Sequence, residues 1–128
     1  MVVVDAYAWI EYFFGSAAGK KVQAIVEDEK NIIITSAVTV AELASKFARV
    51  GEKFDDARAV LLSLSSIETI NWDNAEDTGA LHAQLRKTRK HIGLADAFVI
   101  LTARKAGAKI LTGDDDFKGL PGVIFVKR

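Results

Sequence analysis

Short, continuous apolar runs alternate along this chain with longer segments whose apolar residues recur at helical spacing. The runs Val2 to Val4, Ile32 to Thr35, Ile67 to Ile70, Ile110 to Thr112 and Val123 to Val126 are rich in β-branched residues and read as five short buried strands. Between them, Tyr7 to Phe14, Gly19 to Glu29, Val38 to Val50, Phe54 to Leu64, Ala75 to Thr88 and Leu94 to Ala106 have the spacing that predicts helices. A strand with one face in water alternates polar and apolar residues; these runs do not, so both faces of their sheet must be covered. The predicted class is α/β, a three-layer α/β/α sandwich around a five-stranded, mostly parallel sheet.

Composition leaves that architecture unchanged and narrows the chemistry. The 128 residues, half of them hydrophobic, contain no repeat, linker or low-complexity stretch, so residues 1–128 read as one domain. Seventeen basic residues balance seventeen acidic ones, so contact with a polyanion must rest on local patches or bound cations. The absence of cysteine excludes disulfides, thiolate nucleophiles and cysteine-held metals, and fits a reducing cytoplasm. The opening Val-Val-Val-Asp5 lacks the pattern of a signal peptide, and no apolar run approaches the roughly 20 residues of a membrane span. A soluble cytoplasmic protein without a membrane partner is expected.

Candidate chemistry sits where strands end, because in open α/β sheets the ligand crevice lies beyond the carboxyl ends of the strands. Asp5 follows the first strand, Glu42 lies a helical turn past the second among apolar Val40, Ala41, Leu43 and Ala44, Asp96 falls in the first turn of a hydrophobic helix, and Asp114 and Asp116 follow the fourth strand. Each has an ordinary explanation: Asp5 as a helix N-cap, Glu42 paired with Lys46, Asp96 favoured by the helix dipole, and residues 114 to 116 as a turn. Together they fall at one predicted edge of the sheet. Carboxylates gathered there raise one another's pKa unless a cation neutralises them, so the set predicts a bound metal. Oxygen-only donors select a hard ion, Mg²⁺ or Mn²⁺, and with it phosphodiester hydrolysis.

At these residues the chain resembles the PIN domain family, and within it the VapC toxins of prokaryotic toxin-antitoxin modules. The resemblance rests on Val-Val-Val-Asp5-Ala-Tyr-Ala-Trp-Ile-Glu, Thr39-Val40-Ala41-Glu42-Leu43, Gly93-Leu94-Ala95-Asp96-Ala97 and Leu111-Thr112-Gly113-Asp114-Asp115-Asp116-Phe117, in the family's order across the whole chain. It implies that Asp5, Glu42 and Asp96 hold the divalent ion directly or through water. The fourth acid is Asp114 or Asp116, Asp114 matching better, and Thr112 would hydrogen-bond metal-held water. It further implies an RNA substrate cut by metal-activated water with no side-chain nucleophile, a homodimer, and a cognate antitoxin whose C-terminal segment covers the acidic groove. Neither His82 nor His91 matches a family ligand position.

Two features lie outside these motifs. Arg86, Lys87, Arg89, Lys90 and His91 form a basic run just ahead of Asp96, open to phosphate contact or to simple solvation at a helix end. Tyr7, Trp9, Tyr12, Phe13 and Phe14 crowd the first helix; Trp9 and Phe13 share a face while Tyr12 and Phe14 point elsewhere, which leaves apolar surface for a partner. Competing readings are a receiver-type signalling domain with Asp73 after its third strand, a catalytically silent PIN-like binding scaffold, and a PIN nuclease that trims precursor RNA without a toxin role.

Overall fold

Val2, Val3 and Val4 bring no polar side chain to the surface, and the strand they form, β1 (Val2–Val4), is buried throughout. In the computed structural model, which describes residues 1–127, it lies at the centre of the sheet. It pairs with β2 (Ile33–Ser36) on one side and β4 (Lys109–Thr112) on the other. The edges are β3 (Ser66–Glu68) and β5 (Val123–Phe125), giving the order β3-β2-β1-β4-β5 with every pair parallel. The sheet is thus wholly parallel where a mostly parallel one was expected. Its order also departs from the 2-1-3-4-5 order of receiver-like folds, and Asp73 lies exposed in a helix, not at a strand end.

Among the described residues six α-helices cover the sheet: α1 (Ala6–Phe14), α2 (Ala17–Val26), α3 (Ala37–Arg49), α4 (Asp55–Leu64), α5 (Trp72–Leu85) and α6 (Leu94–Ala106). Because side chains alternate along a strand, Val2 and Val4 join a core with Trp9, Val22, Leu43 and Leu61 from α1 to α4. Val3 faces the other way, into a core with Leu85, Ala97, Ile100 and Phe117. Two cores on opposite faces of one sheet are the three layers the apolar runs require.

Element ends shift from their sequence positions for local reasons. Helix α2 stops at Val26, short of the expected Glu29, because Asp28 accepts the Lys30 amide at 3.0 Å and turns the chain. Strand β3 ends at Glu68 instead of Ile70, and α5 begins at Trp72 instead of Ala75, because Asn71 and Asn74 exchange side-chain-to-backbone hydrogen bonds of 2.8 Å in a capping box. Helix α5 ends at Leu85 and not Thr88, since residues 86–88 form turns.

The aromatic residues of α1 pack inward more than their spacing suggests. Trp9 is fully buried and stacks on Phe13 at 5.6 Å, and Tyr12 meets both rings edge-on instead of pointing away. Phe13, Phe14 and Phe54 all meet the Phe47 ring of α3, so of the expected exposed surface on α1 the main remnant is Phe14, 47% exposed. The Trp9 indole donates to Thr35 Oγ1 (3.1 Å), Thr35 donates to Ser65 Oγ (3.0 Å) and Ser65 donates to the Leu61 carbonyl (2.7 Å). This chain satisfies the buried indole and ties α1 to β2 and the end of α4. At the far edge, the Lys118 and Lys127 ammonium groups stand 5.6 and 5.8 Å from the Phe125 ring of β5.

Candidate functional site

In a wholly parallel sheet all strands end on the same rim, and β1 and β4 are neighbours at its centre. Asp5 leaves β1 as the N-cap of α1, its Oδ1 accepting the Ala8 amide at 2.9 Å. Its Oδ2 accepts a hydrogen bond from the Thr112 hydroxyl at the end of β4. The Thr112 oxygen in turn accepts the Asp114 amide at 3.0 Å. One threonine thus locks the first acid to the loop carrying the fourth. Its single proton is committed to Asp5, which leaves its second lone pair as the group able to accept a hydrogen bond from water.

Asp114 caps a single 3-10 turn, Asp115–Phe117, by accepting the Asp116 amide at 2.9 Å. Asp96 accepts the Gly93 amide at 3.0 Å in the first turn of α6, a position the helix dipole also favours. These two short-range motifs bring one oxygen each from Asp96, Asp114 and Asp116 within 4.8 Å of one another. Both acids of the last segment therefore join Asp96. Asp5 and Glu42 stand outside that tight group of three.

Glu42 also departs from its sequence reading. It is exposed, as is Ala41, whereas Leu43 is buried, so the carboxylate projects away from the core-like residues beside it. No ion pair joins it to Lys46 among the described residues. It nevertheless feels the acidic group: partial desolvation first, then the charges of Asp96 and Asp114, raise its pKa. Thr39, one turn ahead on α3, holds a fully buried hydroxyl without a hydrogen-bond partner among the described residues.

Burial and mutual repulsion shape the remaining protonation equilibria. Burial pushes Asp5 from 3.8 up to about 7, opposed by the Thr112 and Ala8 hydrogen bonds and reinforced by the charges of Asp114 and Asp96. Asp96 is raised as well, chiefly by burial; the Gly93 amide and His82 pull it down, while Asp114 and Asp116 push it up. Asp5, Glu42 and Asp96 thus all feel Asp114, as members of one repelling set. An all-carboxylate donor set of this kind fits a hard divalent cation, which removes the repulsion that raises these values.

Two supports were not legible as such. Gly113 lies between Thr112 and Asp114, where a Cβ would sit 2.1 Å from the Val126 carbonyl oxygen and 2.2 Å from Tyr7 Cε1, so only glycine fits. Arg89, within the basic run, donates from Nη1 to the carbonyls of Asp116 (2.9 Å) and Lys118 (2.8 Å). The sequence signalled its charge and its nearness to Asp96, not its target.

Comparison with known proteins identifies the fold. Residues 2–123 match the PIN domain. A toxin-antitoxin complex from Klebsiella pneumoniae contains a chain superimposing with a TM-score of 0.76 at 25% identity, over 100% of this chain and 99% of that one. VapC20 of Mycobacterium tuberculosis, described as a Sarcin-Ricin loop cleaving toxin, gives 0.76 at 18% identity over 96% and 97%. VapBC2 of Rickettsia felis, bound to a promoter DNA fragment, gives 0.70 at 19% identity over 98% and 97%. No curated protein matches the sequence significantly. Matched from β1 to the start of β5 by the domain itself, and full-length by the fold of these structures, the chain belongs to the PIN domain family.

Proposed function

We propose that this chain is a divalent-metal-dependent endoribonuclease, the VapC-type toxin of a toxin-antitoxin pair. The observation that carries the reading is the convergence of Asp96, Asp114 and Asp116 oxygens within 4.8 Å, beside Asp5 and Glu42, which share their electrostatic field. Mg²⁺ or Mn²⁺ would be held by Asp96, Asp114 and Asp116, with Asp5 and Glu42 completing the shell directly or through water. When bound, such an ion supplies the activation of water and the charge neutralisation that in-line phosphodiester hydrolysis needs.

The chain's own groups supply the rest. Asp5 is fixed by Thr112 and the Ala8 amide, so it would offer a cation one orientation, and with a pKa of about 7 it would give up its proton to hold one. Asp96 is fixed by Gly93 in the same manner. Glu42, exposed and without an ion-pair partner among the described residues, is the carboxylate best able to orient water or meet substrate. Arg86, Lys87, Lys90 and His91 are exposed on the segment leading to Asp96, where phosphates of an RNA approaching the acidic rim gain from positive charge.

Several structural relatives are toxin-antitoxin assemblies, which supports a cognate antitoxin as partner, and the resemblance to VapC toxins implies a second copy of this chain. No helix among the described residues is long and apolar enough to cross a membrane. The test is incubation of purified protein with structured and unstructured RNAs in Mg²⁺, Mn²⁺ or EDTA, with mapping of the cuts. Metal-dependent cleavage that is lost in Asp96→Asn is expected, and cleavage confined to one tRNA or ribosomal loop fits the toxin reading. Equal cleavage in EDTA, or by the Asp96→Asn chain, would overturn the assignment.

A further inference from the structure

Arg89 is the one member of the basic run whose charged end is engaged by the protein's own backbone in hydrogen bonds to the acidic loop. Its Nη1 carries two N–H groups, and the structure pairs them with two carbonyl oxygens, those of Asp116 and Lys118. These carbonyls flank fully buried Phe117, which anchors the same turn from the core side. The arginine's own amide donates to the Leu85 carbonyl at 2.8 Å, so the contact starts from the fixed end of α5. Gly119, at φ +82°, reverses the chain around the guanidinium, and a Cβ there would lie 3.6 Å from Nη2.

The turn needs such a hold. It presents Asp114 and Asp116 to Asp96 within 4.8 Å, where like charges push it outward. Short-range bonds resist in part, such as Phe117 amide to Asp114 carbonyl at 3.1 Å and Lys118 amide to Asp115 carbonyl at 3.0 Å. The Asp114 amide bond to Thr112 and the ion pairs of Lys118 and Lys127 with Asp115 tie other points of the turn, while Arg89 holds the Asp116 and Lys118 carbonyls. We infer that Arg89 is a positioning residue of the acidic centre: by bridging the Asp116 and Lys118 carbonyls it holds the turn at the distance from Asp96 that a shared dication requires. The inference rests on the metal-dependent reading above.

The sign of one measurement separates this role from the alternatives. By charge alone a guanidinium beside the site repels a dication, so deleting it would tighten metal binding. As a brace, its loss weakens binding, on the order of tenfold for a group that orients metal ligands. As an RNA contact, its loss would weaken RNA binding and leave metal binding unchanged.

The experiment titrates Mn²⁺ into RNA-free wild type, Arg89→Ala, Arg89→Lys and Asp96→Asn by calorimetry, with RNA binding measured separately in EDTA. Arg89→Ala is expected to bind Mn²⁺ about tenfold more weakly, with Arg89→Lys between it and wild type and RNA affinity in EDTA little changed. Unchanged or tighter Mn²⁺ binding by Arg89→Ala, while Asp96→Asn loses it, overturns the brace and leaves the metal reading standing. If wild type itself takes up no Mn²⁺, the metal reading fails and this inference with it. Should Arg89→Ala not fold, Arg89→Lys decides: it keeps the charge but not the planar fork, so weakened Mn²⁺ binding supports the brace and wild-type binding overturns it.

Discussion

Replacing Asp5 by asparagine should stabilise the metal-free protein, and should do so increasingly as pH rises. The carboxyl is buried and its pKa is raised from 3.8 to about 7, so the folded chain holds this proton more tightly than the unfolded chain does. The associated stability is intact below the unfolded value of 3.8 and is lost as pH climbs to about 7. The full shift corresponds to about 4 kcal/mol at about 1.4 kcal/mol per unit. Between about pH 5 and about pH 8 the wild type should lose roughly 2 to 3 kcal/mol relative to Asp5→Asn, on the order of 10 °C in melting temperature. Asparagine has the same shape and keeps an oxygen for the Ala8 amide, and any constant offset cancels when the gap is compared across pH.

The assay is urea unfolding followed by circular dichroism, in EDTA, for both chains across this range. A gap that stays flat or narrows with pH would refute the claim that Asp5 is held in a desolvated, repelled state. With Mn²⁺ added the gap should close or reverse, since only the wild type gains a full set of carboxylates for the cation.

Other outcomes can be checked alongside. Thr112→Val removes the hydrogen bond that lowers the Asp5 pKa, so the pH midpoint for Mn²⁺ binding should move upward; an unmoved midpoint would count against the Thr112 contact. Gly113→Ala forces a methyl to 2.1 Å from the Val126 carbonyl, and should lower stability in thermal melts by about 3 kcal/mol or prevent folding. Trp9→Phe leaves Thr35 without its buried donor and should reduce stability in urea titrations by about 1 to 3 kcal/mol, with metal binding retained.

What was legible in the sequence follows the range over which each determinant acts. Val2 to Val4 and the other apolar runs report burial on both faces directly, so the layered architecture could be read from them. Asp5, Asp96 and Asp114 were visible because each sits at a strand end or helix start. The misplaced boundaries reflect side chains competing for the backbone: Asn74 donates to the carbonyl of Thr69, a residue that β-propensity alone would give to β3. The exposure of Glu42 was not legible because buried Leu43 beside it lies on a different side of the helix, which a linear window does not reveal. The engagement of Thr112 with Asp5 spans 107 residues and that of Arg89 with Asp116 spans 27, so neither is encoded in any local pattern.

The two outer strands, β3 and β5, are each three residues long, and an open strand border invites pairing with another chain. At β5, Lys118 and Lys127 set positive charge over Phe125, the aromatic ring on that border. An incoming strand would have to displace two ammonium groups that Asp115 also holds in ion pairs, for a stretch of few backbone bonds. This border is therefore guarded against cross-β addition, and copies accumulating at high concentration should stay free of fibrillar growth along it.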